Sequence, residues 1–79
     1  MAVLTDVVTT ITTNGSGVLF WTTQHPVGGP GLFIPPGMAA WAVPTLMASK
    51  TLGHPINIEN VVTPEAPPGY ATVVALEYP

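Results

Sequence analysis

The chain has 79 residues, no cysteine and a formal net charge of −3, with a single Lys and no Arg. This balance argues against nucleic acid and against anionic membrane surfaces, because both are bound by clusters of Lys and Arg. The absence of cysteine excludes disulfides and thiolate metal sites as sources of stability. A domain of this size buries only about 60% of its unfolded surface, so contacts with partner chains are the expected source of stability.

The share of charged residues is the most unusual property of the composition. It is 6%, against about 25% in ordinary soluble domains. A free monomer is normally kept soluble by a dense and mixed surface charge, which this chain lacks. The composition therefore predicts a protein whose surface is largely covered by neighbouring chains.

Membrane insertion and secretion are not predicted. The charge-free stretch from Val7 to Ser49 is long, but several Pro and Gly residues interrupt it. The opening residues Met1 to Asp6 have no basic segment and carry an early acid, unlike a signal peptide. Synthesis in a cytoplasm is the expectation.

The first half of the chain predicts three strands. Val3–Thr13 is rich in β-branched residues and predicts one long strand. Asn14–Gly17 predicts a hairpin turn with a positive φ at Asn-Gly, and Val18–Thr23 the returning strand. Gln24–Gly31 is rich in Gly and Pro and predicts a loop, which is followed by the short strand Leu32–Ile34.

A Pro-Pro-Gly sequence occurs twice, at 35–37 and at 67–69. Pro at the second and Gly at the third position are typical of a type II turn, so each copy is predicted to reverse the chain and start a strand. The first copy then predicts a strand at Met38–Val43. Pro44 argues against a helix across this region, and residues 45–52 are left open between a strand and one short helix that begins at Pro44 and stops at Gly53.

The last third of the chain predicts two further strands. Ile56–Val61 alternates apolar and polar residues, and Tyr70–Tyr78 has an apolar centre. About six short strands with Pro- and Gly-rich turns predict one all-β domain over residues 1–79. Its expected architecture is a small sandwich or barrel-like fold, with one short helix near 44–52 as the open alternative.

No residue pattern predicts catalysis, a cofactor or a metal. His25 and His54 each precede a Pro, and nothing in their spacing brings them near a carboxylate. Ser16 and Ser49 lack the sequence context of an activated nucleophile. The chain is therefore predicted not to be an enzyme.

Four aromatic residues are candidate interface anchors, since Trp and Tyr are enriched where proteins bind one another. They are Trp21, Trp41, Tyr70 and Tyr78, with Trp41 and Tyr78 favoured. The competing interpretation is that most of them fill the core of a small domain. A glycan platform on Trp21 or Trp41 is a third interpretation.

The chain resembles the small β-rich structural proteins of tailed bacteriophage particles. The features that carry the likeness are the Thr-rich segment Val3–Thr13, the segment Leu32–Gly37 and the terminal segment Ala71–Tyr78. The resemblance implies a virion protein of the capsid decoration (cement) or head-fibre type, made in the host cytoplasm and without a catalytic centre. It implies a homo-oligomer, such as a trimer, that binds a larger capsid or tail protein and stabilises the particle. The alternative function is a small glycan-binding or tail- or fibre-associated β module.

Overall fold

The computed structural model describes residues 2–79, and these form six β-strands and one α-helix. The strands are β1 Ala2–Asp6, β2 Val8–Asn14, β3 Gly17–Thr22, β4 Leu32–Ile34, β5 Ile56–Val61 and β6 Ala71–Glu77. A one-turn 3₁₀ helix, Pro36–Met38, leads directly into α1, Ala39–Leu52. The prediction of a β-rich chain is confirmed, while the all-β class is too narrow because of α1.

All six strands belong to one sheet in the order β1-β5-β6-β4-β3-β2. Neighbouring strands are antiparallel except for β4 and β6, which are parallel. The sheet is open, so the predicted sandwich or barrel-like arrangement is not confirmed. The two edge strands β1 and β2 are separated in sequence only by Val7. The two edges of the sheet therefore lie next to each other at this residue.

The prediction of one continuous strand over Val3–Thr13 is wrong. The chain pairs with β5 as far as Asp6 and then pairs with β3 from Val8 onward. The change of partner occurs where the Asp6 carboxylate accepts a hydrogen bond from the Val7 N–H at 2.8 Å. A side chain that bonds to the adjacent backbone competes with the ladder of a strand, which accounts for the break.

The predicted strand at Met38–Val43 is also wrong, because α1 begins at Ala39 and continues through Pro44. Pro44 cannot donate the hydrogen bond that would reach the Ala40 carbonyl. Both Pro44 and Ala40 are exposed, so water can solvate that carbonyl and lower the cost. Of the two alternatives left open for residues 45–52, the helix is the one observed, and it stops at Gly53, which adopts a left-handed conformation with φ of 64°, with Lys50 in the last turn.

The two Pro-Pro-Gly sequences adopt different structures, although both close a hydrogen bond of 3.0 Å from the residue after Gly to the first Pro. Gly69 has a φ of 86°, as a type II turn requires, and β6 follows. Gly37 is not among the glycines with positive φ, and its turn continues into the 3₁₀ helix. The hairpin at 14–17 is confirmed, but its positive φ falls on Gly17 and not at the predicted Asn-Gly.

The core lies between one face of the sheet and one side of α1. Its apolar residues come from five of the six strands and the helix: Val8, Val18, Phe20, Leu32, Ile34, Ala42, Leu46, Ile56, Ile58 and Val73. Leu46 from α1 is fully buried, as are Phe20 and Ile58 from the sheet. The helix therefore contributes one side to this core, which leaves its other side to face outward.

Candidate interaction surface

The outer face of α1 is apolar. Trp41, Met47 and Leu52 are 48%, 55% and 70% exposed, and Pro44 is exposed between the first two. The only charged residue of the helix is Lys50. A surface helix normally carries polar residues opposite its buried side, and a helix that is apolar all round is normally buried on both sides. The outer face of α1 therefore exposes more large apolar side chains than a solvated helix face normally does, beside the polar residues Lys50 and Thr51.

A groove of about 320 Å³ runs between α1 and the edge strand β2. The helix lines it with Val43, Met47, Lys50 and Thr51, and the strand with Ile11 and Thr13. The cross-strand partners of Ile11 and Thr13 are Phe20 and Val18, which are buried. Since paired residues share a face of the sheet, Ile11 and Thr13 point to the core side, where the helix lies.

Ser49 of α1 is bonded to the start of β2. Its hydroxyl oxygen accepts a hydrogen bond from the Val8 N–H at 3.0 Å, and the hydroxyl donates to the His54 carbonyl at 2.7 Å. Ser49 is fully buried. The start of β2 is therefore bonded to the helix, whereas the described residues show no such bond at Ile11 or Thr13.

Trp21 and Tyr70 are brought together, but in a structural role. Their rings meet edge to face, with centroids 6.3 Å apart and an interplanar angle of 77°. The Trp21 indole N–H donates to the Gly29 carbonyl at 3.0 Å and so ties the 24–31 loop to the end of β3. Both residues are half-buried. The pair holds the loop against the second Pro-Pro-Gly turn and leaves the indole N–H already bonded.

Tyr78 lies near the C-terminus and packs on His54, a contact that the sequence does not predict. Its ring stacks on His54, with centroids 4.2 Å apart and an interplanar angle of 18°. The His54 Nε2 atom is also 3.0 Å from the Pro79 carbonyl oxygen. Tyr78 remains 43% exposed. It fastens the C-terminal segment to the loop after α1 while keeping part of its ring outside.

Asp6 is the buried carboxylate of the described chain, and sequence reasoning missed its role. Besides Val7, it accepts hydrogen bonds from the Thr23 hydroxyl and, at 2.8 Å, from the Gln24 N–H. Burial by itself would raise the pKa of Asp6, but these hydrogen bonds, with one from Thr22, outweigh burial and hold the pKa below its usual value. Asp6 therefore fixes the junction of β1, β2 and the chain after β3. The only sequence feature that indicates this role is an acidic residue within a Thr-rich segment.

The outer face of β1, β5 and β6 carries a polar chain. The Thr5 hydroxyl donates to Asn57 Oδ1 at 2.7 Å, and Asn57 Nδ2 donates to Glu77 Oε1 at 2.6 Å. Glu59 and Val3 line the same shallow depression of about 300 Å³. Two of its polar side chains, Asn57 and Glu77, are bonded to each other.

The described residues show no assembled catalytic or metal site. No group of three or more His, Asp or Glu residues within 2–79 is placed to hold a metal ion. His25 is exposed in the 24–31 loop, and Ser16 is exposed in the hairpin turn. Ser49, the other candidate nucleophile, is occupied by the two hydrogen bonds described above.

Across residues 2–79, no helix has both the length and the apolar character that a bilayer crossing requires. Comparison of the chain with protein-family models, with curated proteins and with solved structures returned no match.

Proposed function

We propose that this chain is a non-enzymatic structural protein that works by packing against copies of itself and against a larger protein shell. The outer face of α1 carries the proposal. Trp41, Met47 and Leu52 expose large apolar side chains on a helix whose only charge is Lys50. Exposed apolar patches of this kind mark protein–protein contacts in soluble proteins.

The particular form that we propose is a capsid decoration protein of a bacteriophage-like particle. Its support is the resemblance given by the sequence, together with the low charge of 6%. A chain that functions as part of an assembled shell does not need the charged surface that keeps free monomers soluble. A partner that binds only the folded state also adds to the stability of both chains by mass action.

A barrel-like curvature of the sheet is the finer architecture that we propose. Its support is the single residue, Val7, that joins the two edge strands β1 and β2. Curling brings the edges together at one end and leaves the far ends of both strands without a ladder partner. Edge strands of this type are used by many proteins to add a strand from a neighbour.

Light scattering after size exclusion tests the proposal over low to high micromolar concentrations. We expect the mass to rise with concentration above that of the 8.2 kDa monomer. Replacing both Trp41 and Met47 by Gln should move the midpoint of association at least about tenfold higher, because truncating buried interface anchors costs 2 kcal/mol or more. Val27→Gln is the matched control, since Val27 is 63% exposed but lies in the 24–31 loop. A monomer at every concentration would contradict self-association.

The virion assignment has its own test in the position of the gene. A neighbouring major capsid or tail gene would support the decoration function, whereas neighbouring metabolic genes would contradict it.

The alternative of a glycan-binding module is favoured only by the exposed indole of Trp41 and by the aromatic pair Trp21–Tyr70. Titration with an oligosaccharide panel should change Trp fluorescence if that module is correct.

A further inference from the structure

We propose that the free edge of β2 pairs with the β2 edge of a second copy, antiparallel about a two-fold axis, with Ile11 opposite Thr13 of that copy. The inference rests on the proposed assembly function and deepens it, because it names the strand, the register and the partner. The observation that carries it is the direction of the backbone groups along β2.

The backbone groups that face away from β3 can be identified from the ladder. In an antiparallel pair, residues that exchange hydrogen bonds with the partner strand alternate with residues whose N–H and C=O point outward. The Val8 N–H points outward, because it donates to Ser49 of α1 at 3.0 Å. Its partner Thr22 donates to His25 and not to β2.

The backbone N–H and C=O groups of every second residue of β3 point the same way as those of Thr22, away from β2. Counted back from Thr22, these residues are Phe20 and Val18. Their partners in β2 are Ile11 and Thr13. The turn end of the hairpin leads to the same assignment. Asn14 and Gly17 flank the two-residue turn and exchange hydrogen bonds. Because bonded and non-bonded pairs alternate, the pairs of Thr13 and of Ile11 with β3 are non-bonded. Ile11 and Thr13 therefore point their N–H and C=O groups out of the sheet, toward the groove.

The remaining residues of β2 do not extend this free edge. Val8 is already bonded to Ser49, and the register shifts between Val8 and Thr10, which interrupts the ladder there. The hairpin turn ends the strand after Asn14. Ile11 and Thr13 are thus the two positions along the edge where a partner strand can form regular hydrogen bonds.

This spacing is self-complementary and fixes the register. If Ile11 of one copy lies opposite Thr13 of the other, the two-fold axis passes between the two Thr12 residues, and the reciprocal pair forms by symmetry. Each of the two pairs exchanges two hydrogen bonds, four in all. Any other two-fold register would leave an outward group at Ile11 or Thr13 opposite the interrupted ladder or the turn.

The side chains fit a second copy of the same strand. The sequence of β2, VTTITTN, contains no charge and no Pro, which are the residues that proteins place on edge strands to prevent pairing. In the proposed register, Ile11 of the second copy lies beside Thr13 on the core side of the sheet, next to Val43 and Met47 of the groove. Pairing would cover the half-buried Ile11 and the exposed Met47.

Single cysteine variants of the full chain test the register, because the protein has no cysteine of its own. Thr12→Cys places two thiols opposite each other on the axis, at a non-hydrogen-bonded pair whose Cα atoms are about 4.5 Å apart and within disulfide reach. Thr10→Cys is the matched control. Thr10 lies on the same face of β2 as Thr12, but in the proposed register it is opposite Asn14 of the second copy, four residues away from Thr10 of that copy. Val3→Cys tests the opposite edge, where Val3 is 63% exposed.

Under mild oxidation at concentrations where the parent chain associates, we expect a covalent dimer from Thr12→Cys and at least about tenfold less from the other two. Circular dichroism should confirm that all three variants fold. If the parent is oligomeric and Thr12→Cys forms no more dimer than Thr10→Cys, the β2 inference is overturned while the proposed assembly function stands. If the parent is monomeric at every concentration and no variant forms dimer, both are overturned.

Discussion

The hydroxyl oxygen of Ser49 accepts a hydrogen bond from the backbone N–H of Val8, at 3.0 Å, and both residues are buried. This bond fastens the last turns of α1 to the first residue of β2. Since the same hydroxyl donates to the His54 carbonyl at 2.7 Å, one side chain links the helix, the edge strand and the loop that leads to β5.

Removing this hydroxyl should destabilise the fold. Ser49→Ala leaves the buried Val8 N–H without a partner, and an unsatisfied buried donor costs about 1–3 kcal/mol. Urea unfolding followed by circular dichroism measures the loss. Ser16→Ala is the control, because Ser16 is exposed in the hairpin turn and surface changes of this kind stay within about 0.5 kcal/mol. Equal midpoints for the two variants would contradict the role given to Ser49.

The Asp6 carboxylate should make the protein sensitive to acid. Its pKa is lower in the folded chain than the usual value of 3.8, so the unfolded chain binds more protons as the pH falls through this region. The stabilisation is thus complete above the unfolded pKa and is lost as the pH falls toward the folded pKa. Asp6→Asn should lower the free energy of unfolding at pH 7 by about 1–3 kcal/mol, because it weakens several charge-assisted hydrogen bonds.

The pH series supplies the control for this prediction. The difference between the parent and Asp6→Asn should shrink when unfolding is measured below pH 3.8. Glu65→Gln removes an exposed carboxylate and should leave the stability at pH 7 nearly unchanged. A difference between the parent and Asp6→Asn that stays constant down to acid pH would show that the carboxylate charge is not what stabilises the junction.

Gly31 is required for close packing beside Trp21. A Cβ at this position would lie 2.9 Å from Trp21 Cδ1 and still closer to the Phe20 carbonyl oxygen, so the backbone would have to move. Gly31→Ala should destabilise the protein by about 1–3 kcal/mol, the usual cost of overpacking. Gly15→Ala is the matched change, since a Cβ there meets nothing within 4 Å. Thermal unfolding of the two variants should differ clearly, and similar midpoints would contradict the prediction.

Pro44 should be the residue of α1 whose replacement stabilises the chain. Pro44→Ala restores an N–H that can bond to the Ala40 carbonyl, and Ala is about 3 kcal/mol better than Pro inside a helix. The greater freedom of the unfolded chain offsets about 1 kcal/mol of this gain. We expect a net stabilisation of about 1–2 kcal/mol in urea unfolding. A loss of stability would instead show that the proline ring makes a packing contact that the helix depends on.

The sequence predicts those parts of the fold where the local pattern and the tertiary contacts agree. Ile56–Val61 alternates cleanly, and β5 has these bounds. Leu32–Ile34 lies between Gly- and Pro-rich segments, and β4 occupies the same residues. The start of α1 was missed because Pro44 disfavours a helix locally, whereas the burial of Ala42 and Leu46 against the sheet outweighs that cost.

The end of β1 at Asp6 could not be predicted from the residues adjacent to Asp6 in the sequence. It depends on Thr23 and Gln24, which are 17 and 18 residues away in the sequence. The candidate surface was predicted only in part. Trp41 was named as an anchor and is exposed on α1, but Met47 and Leu52 join it only because the segment is helical. A strand at that position would have placed Leu52 on the face opposite Trp41 and Met47, and would have held Trp41 and Met47 about 20 Å apart.

The change of partner strand at Val7 also sets the order in which β1 and β2 can be paired during synthesis. The hairpin of β2 and β3 closes over a short separation, from Val8 to Thr22, and can form as soon as this segment leaves the ribosome. β1 pairs with β5, Ala2 opposite Asn60, and has to wait until most of the chain has been made. The first strand to be translated is thus among the last to be paired. Pulse-labelled hydrogen exchange should show protection at Thr12 before protection at Leu4.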